Sequence, residues 1–438
     1  MGRPFYVSEF GDWGLPDMPA LDDPAFWDTR AIYADALSGT LWPATIGRFV
    51  RETQRYQGVS DRLQTEVWRR HDDIGGYCLT ELTDVPHELN GLLDLHRNPK
   101  PLAMAEMARA NQTVLPMLEL PSLVAASGEE VRGEVHVAND GPALEDVEVE
   151  VRFGDTAPPV AASDIPAIDA QALDLDAISD RFTESLTAVR SDRLAAHAVA
   201  HLGPVTVVVP DAPGNHDLVL RLRAGGELVS ENRYPIHIVD RRPVVRSDIE
   251  ALVIEEGELD ASSGTAARTA LDEGGIVVVF AQSPDAAAHY PVPVQLDEVQ
   301  TTWGSTVFHF TTDHGALPSL PRRNVLVAED STVQATSVVS RIDGRAFPDT
   351  PVVIAFKPVP GAMAGTIVGS HGVGRGRLIT CQYRLRDRAS SGDVAASALR
   401  DDILRWATVP REVLAPEPRV KDDGRAMTLY RFETAVAR

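Results

Sequence analysis

The chain has 438 residues, 44% apolar and 24% charged, with a formal net charge of −23. That is enough apolar sequence for roughly two to four cores of ordinary size. The negative balance disfavours nucleic acid and anionic membrane surfaces as partners, and only three of the 41 basic residues are lysines, Lys100, Lys357 and Lys421.

In chain order the first element is a short apolar strand, Pro4-Phe5-Tyr6-Val7-Ser8-Glu9-Phe10, which breaks at once into Gly11-Asp12-Trp13. Aromatic and β-branched residues favour the strand, and a carboxylate placed where the strand meets glycine projects toward whatever the loops enclose. A polar, helix-compatible stretch follows from about Thr45 to Arg70. Then come Gly75-Gly76-Tyr77-Cys78-Leu79-Thr80-Glu81-Leu82-Thr83-Asp84, Glu88-Leu89-Asn90-Gly91-Leu92-Leu93-Asp94 and Arg97-Asn98-Pro99-Lys100-Pro101. The order reads as strand, loop, helix, strand, loop and entry to a second helix, with Asn90 as a loop-capping residue.

These passages together resemble the last part of the catalytic barrel of glycoside hydrolase family 2, the β-galactosidase, β-glucuronidase and β-mannosidase group. The resemblance covers residues 1 to about 112 and implies a partial (β/α)8 TIM barrel made of its last strands and helices. It implies that Glu9 is the nucleophile of a retaining β-glycosidase acting on O-glycosidic bonds. Glu81 and Asp84 would bind sugar hydroxyls or stabilise the loop, and Trp13 would either wall a sugar ring or pack in the core. The acidic charge suits a neutral sugar, and Asn90-Gly91-Leu92 lacks the Asn-x-Lys pair of glucuronide-acting members, so a glucuronide is disfavoured. A retaining enzyme needs a second carboxyl group about 5 to 5.5 Å from the first. In the family that acid/base lies on a strand well upstream of the nucleophile, so this polypeptide alone is expected to show little or no activity. A barrel of about 250 residues closes only with eight units, and open strand edges would leave residues 1–112 dependent on a partner.

From about Leu115 the texture becomes two-residue alternation: Val131, Val135 and Val137, then Asn139-Asp140-Gly141, then Val147, Val149, Val151 and Phe153. This is hairpin grammar, and it returns at 205–209, 218–223 and 234–239. It predicts an immunoglobulin-like β-sandwich over 113–240, with an insertion at about 159–203 whose Asp176–Leu202 run is helix-compatible. Beyond Asp240, Leu252-Val253-Ile254 and Ile276-Val277-Val278-Val279-Phe280 are continuous apolar runs of the kind buried on both faces. With a helix-compatible Thr265–Glu273, strands at Val325–Val327 and Val352–Phe356, and a helix from about Val394 to Trp406, they predict an α/β domain over 241–415. It looks like a flavodoxin-like or glutamine-amidotransferase-like domain, and 416–438 would be a tail or edge strand.

Little else in the sequence carries chemistry. Cys381 lies mid-strand without a flanking glycine, so no nucleophile elbow is present. His371-Gly372-Val373-Gly374-Arg375-Gly376-Arg377 runs straight into a strand and reads as a hairpin turn rather than a phosphate loop. No His or Cys spacing marks a metal site, no cofactor is expected, and Cys78 and Cys381 read as buried thiols rather than a disulfide. No apolar run reaches 18 residues and Met1-Gly2-Arg3-Pro4 opens no signal segment, so a cytoplasmic location is expected. The leading reading is therefore the C-terminal portion of a retaining β-glycosidase, with a carbohydrate as substrate and an upstream glycosidase chain or a second copy as partner. The alternatives are a non-catalytic carbohydrate- or protein-binding module and one half of a split enzyme.

Overall fold

The structure, a computed structural model, describes residues 5–16, 43–85, 88–154, 186–240, 250–299, 307–311, 316–320, 326, 333, 335–345, 347–357, 363–408, 419–420 and 426–427. It is a β-rich, multi-sheet fold with few helices. Described residues within Met1–Ala20 and Val50–Arg241 form one compact unit, and those within Leu21–Phe49 and Arg242–Arg438 form another.

The first unit begins with β1 (Phe5–Phe10), which pairs in parallel with β2 (Ile74–Leu79). Helix α1 (Pro43–Arg69) lies between them in sequence, and α2 (Pro101–Ala110) follows β2. Parallel neighbours need such a crossover, so the strand–helix–strand–helix order of the sequence is realised. Among the described residues the pair stands as a two-stranded sheet, without a closed barrel.

The buried face of α1 is polar. Val50, Thr53, Gln54, Gln57, Asp61, Thr65 and Arg69 recur at three- and four-residue spacing on its inner side, joined by Arg62 and Glu66. Such a face is stable only where every group finds a partner. Arg62 donates to Glu66 (2.9 Å), pairs with Glu106 of α2 (2.6 Å) and lies 5.4 Å from the centroid of the Tyr234 ring. The Tyr234 hydroxyl donates to Glu66 and accepts the Leu118 N–H at 2.8 Å, and Asn232 donates to Glu66 (3.0 Å) and to the Pro116 carbonyl (2.9 Å). This network fastens both helices to the adjoining β-sheets.

Those sheets form a sandwich. One contains β3 (Val114–Glu119), β5 (Glu130–Asn139) and β8 (Ala198–Val208). The other orders β4 (Val124–Ala126), β10 (Glu227–Val239), β9 (Gly214–Ala224), β6 (Leu144–Phe153) and β7 (Thr187–Leu194). Val135, Val137 and Val205 from the first sheet share one core with Val149, Val151, Leu220 and Ile236 from the second, as alternating apolar strands require.

Two expectations are corrected here. Asn139-Asp140-Gly141 does not close a hairpin, because β5 and β6 belong to different sheets. It is a corner in which the Asn139 side chain accepts the Gly141 N–H (3.0 Å) and donates to the carbonyls of Pro142 (2.8 Å) and Ala195 (2.9 Å). The stretch expected as an insertion with a helix-compatible run is, over its described part, β7 and the start of β8. Thr187, Val189 and Ser191 alternate with exposed residues, a half-open edge pattern that a polar helix mimics.

In the second unit β11 (Ala251–Ile254), β12 (Ile276–Val279) and β18 (Gly376–Cys381) are parallel neighbours. Helix α3 (Ala261–Asp272) packs on one face, where Leu271 and Ala267 meet Val277 and Val279. Helix α4 (Val394–Thr408) supplies the core of Val278 and Ile379 through Leu399, Ile403 and Trp406. The apolar runs are thus covered on both sides. The sheet then turns antiparallel through β17 (Met363–Val373), β15 (Ser337–Ile342), β13 (Val294–Glu298), β16 (Thr350–Lys357) and β14 (Phe308–Thr311), so it is mixed. Gly374-Arg375 is the two-residue turn between β17 and β18, with Gly374 at φ +57°. Val325 and Val327 lie outside the described residues; in the tail, Arg419–Val420 and Ala426–Met427 pair antiparallel.

Candidate active site at the ends of the parallel strands

Glu9 is exposed near the carboxyl end of β1. Val7 opposes Tyr77 and Phe10 opposes Leu79, so three residues of β1 span two of β2 and the strand bulges at Ser8-Glu9. A bulge at a strand end re-aims the side chain it carries. The Thr80 N–H donates to the Phe10 carbonyl at 2.7 Å, so Glu9 and Glu81 each stand one residue from the bond that joins the strand ends. Glu81 is half-buried; its N–H donates to the Asn90 carbonyl (3.3 Å) and its carbonyl accepts the Leu92 N–H (3.1 Å). Gly11 is obligatory here, since at φ +156° an added Cβ would lie 2.2 Å from the Thr80 carbonyl oxygen.

Trp13 and Asp84 lie beneath this surface. Trp13 is 3% exposed and Asp84 1% exposed, so neither presents area to a ligand in this arrangement. For Trp13 this is the packing alternative that the sequence left open. Asp84 accepts the Lys100 ammonium (2.7 Å) and the Gly91 N–H (2.9 Å). Lys100 also donates to the carbonyls of Gly14 (2.7 Å) and Leu89 (3.0 Å). It stands at the N-cap position of α2 without a side-chain bond to that helix and is 1% exposed, so its ammonium is spent on the loops rather than offered to a substrate carboxylate.

Helix α1 completes the base. The Leu15 N–H donates to the Thr53 hydroxyl (2.9 Å), Gln54 donates to the Leu15 carbonyl (3.0 Å), and Gln57 donates to the carbonyls of Asn90 (2.9 Å) and Gly91 (3.1 Å). Asp61 accepts the Asp12 N–H (2.7 Å), while Asp12 accepts the Ser60 hydroxyl (2.8 Å) and the Trp13 N–H (2.9 Å). Burial, and then the charge of Asp12, push the Asp61 carboxyl well above the usual carboxylate range. Burial likewise raises Asp84 to about 6 against the opposing pull of Lys100, and lowers Lys100 despite its acidic neighbours.

Sequence reading singled out Glu9, Glu81, Asp84 and Trp13 and passed over the internal bonds of Lys100 and the polar face of α1. The available signal was polar residues at 53, 57, 61 and 65 in a helix, the same periodicity that is ordinarily sought only in apolar residues. Cys78 is a correction: it is exposed, because its two-stranded sheet has an uncovered face, whereas Cys381 is buried, and neither is in a disulfide. Among the described residues no group of three or more His, Cys, Asp or Glu is arranged to hold a metal, and no helix is long and apolar enough to cross a membrane.

No family model and no curated protein sequence matches the chain. Among solved structures it is similar to the β-D-mannosidase of Dictyoglomus thermophilum, at 14% identity and a TM-score of 0.34, over 53% of this chain and 27% of that one. It is also similar to the sporulation control protein Spo0M of Bacillus subtilis, at 16% identity and a TM-score of 0.18, over 29% of this chain and 49% of that one. A CARDB domain from Pyrococcus furiosus aligns at 13% identity and a TM-score of 0.18, over 29% of this chain and 86% of that one. The chain therefore spans about a quarter of the mannosidase, and likeness at these scores carries no inference about activity.

Proposed function

We propose that residues 1–112 are the last two strand–helix units of a (β/α)8 barrel, and that the chain is the C-terminal portion of a retaining family-2-like β-glycoside hydrolase acting on a neutral sugar. The supporting observation is the exposed Glu9 at the bulged carboxyl end of β1, beside Glu81 at the end of its parallel neighbour β2. Catalytic groups of such barrels come from the carboxyl ends of the strands.

In this reading the ionised Glu9 attacks the anomeric carbon. The bond to the leaving oxygen breaks with its electron pair going to that oxygen, and water then hydrolyses the glycosyl ester. Glu81 contacts sugar hydroxyls, whereas Asp84 and Trp13 hold the loops from below. The sandwich is an immunoglobulin-like accessory module. The mixed α/β unit is a second accessory module, similar to amidotransferase-like domains, in which Cys381 is no ready nucleophile because burial pushes its thiol up to about 12.

Glu81 is read here as a sugar contact, and no described carboxylate is assigned the part of the family's acid/base. The 438-residue polypeptide should therefore cleave only substrates whose leaving group needs no proton. Purified chain is expected to hydrolyse 2,4-dinitrophenyl β-glycosides slowly and alkyl β-glycosides not at all, with Glu9→Gln abolishing the first reaction. Turnover that survives Glu9→Gln, or none with any dinitrophenyl sugar, defeats the proposal. The split-enzyme reading gains support from Phe5 and Tyr6, 64% and 57% exposed on β1, where further strands would cover them. It requires a co-purifying chain that restores cleavage of alkyl glycosides.

A further inference from the structure

The three lysines of this arginine-rich chain include one that is buried with all three ammonium donors engaged. Its acceptors are Gly14 in the loop after β1, and Asp84 and Leu89 in the loop after β2. An ammonium is a compact point charge with donors diverging from one atom, so it can bridge three oxygens from two loops where a planar guanidinium fork cannot. The loops are otherwise joined by the Gly14 N–H donating to the Leu89 carbonyl (3.0 Å). Each loop is also tightly seated on its own side: a Cβ on Gly14 would lie 2.4 Å from Gln57 Oε1 of α1, and one on Gly91 would lie 2.2 Å from the Asp84 nitrogen in the same loop.

We propose that Lys100 is a positioning residue whose buried ammonium locks the loop leaving β1 to the loop leaving β2 and thereby fixes Glu9 relative to Glu81. The lock stands on the geometry alone; its consequence for turnover rests on the reading of Glu9 as nucleophile. Asp84 is the charge partner that makes a buried ammonium tolerable, and it holds Gly91 with the same oxygen. Removing the ammonium leaves the Gly14 and Leu89 carbonyls without this donor while the strands and helices retain their own bonds. The loops would then loosen at the point where the reacting carboxylate is carried, and small misplacements of reacting groups are expensive in rate.

The test uses the full chain and two variants. Lys100→Met removes the ammonium but strands Asp84, whereas Lys100→Met/Asp84→Asn removes both charges and keeps an acceptor for Gly91. The double variant is expected to melt within a few degrees of the parent, yet amide exchange over residues 11–16 and 80–93 should quicken at least tenfold. With a 2,4-dinitrophenyl β-glycoside, kcat should fall at least tenfold with KM nearly unchanged. Parental exchange in both loops in a folded double variant overturns the lock. Quickened exchange with parental kcat overturns its role in positioning. If the parent shows no Glu9-dependent turnover, the reading of Glu9 fails, and exchange alone decides whether the lock exists. If neither variant folds, reductive methylation of the parent decides: Lys100 should remain unmodified in the native chain and react in urea, and full native modification overturns the lock.

Discussion

Arg62 is the residue whose loss should be felt most in the first unit. Its side chain is 1% exposed and sits between Glu66, 5% exposed, and Glu106, 12% exposed. Arg62→Met keeps much of the aliphatic volume but leaves two carboxylates without their shared cation. Breaking a buried pair from one side destabilises by about 3–5 kcal/mol, roughly a two-hundred- to five-thousand-fold change in the folding equilibrium. The loss should also depend on pH. In the parent, burial raises Glu106, but the charges of Arg62, Arg233 and Arg109 outweigh it and hold its carboxyl below the usual range. A depressed carboxylate contributes stability above its unfolded pKa and loses it as pH falls through the folded value. Arg62 is the largest of these opposing charges, so without it the Glu106 carboxyl should rise and the variant's deficit should narrow as pH falls. Native-state hydrogen exchange of the full chain, read on amides of α1 from Val50 onward and of β10, measures this directly. Replacing the carboxylates as well, in Arg62→Met/Glu66→Gln/Glu106→Gln, should recover much of the loss. A deficit below about 1 kcal/mol, or one that does not narrow as pH falls, would refute the idea that these helices are fastened by a buried charge network.

Gly11→Ala places a Cβ against the Thr80 carbonyl at a φ that side chains rarely adopt; a loss of about 1–3 kcal/mol is expected by urea denaturation, and an unchanged midpoint would contradict it. Asp84 ionises near 3.8 when unfolded and at about 6 when folded, so the folded chain holds the extra proton in that window and stability falls as pH rises through it. That displacement amounts to at most about 3 kcal/mol, and the stability difference between parent and Asp84→Asn should change by up to this amount between pH 4 and pH 6, where a constant difference would count against it. A thiol reagent should titrate the exposed Cys78 in the native chain and the buried Cys381 only after unfolding; two fast thiols would disagree with the placement of Cys381.

Much of the fold was legible because its cores follow simple periods. Val147, Val149, Val151 and Phe153 alternate along β6 as a one-sided strand must, and Val277-Val278-Val279 forms the uninterrupted run of a strand covered on both faces. The pairing of β1 with β2 was legible as strand, helix, strand. What failed to show was which sheet each sandwich strand joins, because Asn139-Asp140-Gly141 suits a corner as well as a hairpin. Residues 187–194 misled because a polar edge strand has no apolar period to read. At the site, Glu9 stood out through its neighbour Gly11, whereas Lys100 looked like an ordinary helix entry. Its role depends on Gly14 and Leu89, brought to it by tertiary contacts that no local pattern encodes.

The central claim is that Glu9 is a nucleophile, and covalent trapping tests it most directly. The chain would be incubated with 2,4-dinitrophenyl 2-deoxy-2-fluoro-β-glycosides of mannose, glucose and galactose, whose fluorine slows hydrolysis of the glycosyl ester, and then analysed by intact mass and peptide mapping. The account predicts one added fluoroglycosyl group, carried by the peptide containing Glu9 and absent from Glu9→Gln. A label on another carboxylate, or no label with any of the three sugars, would contradict it.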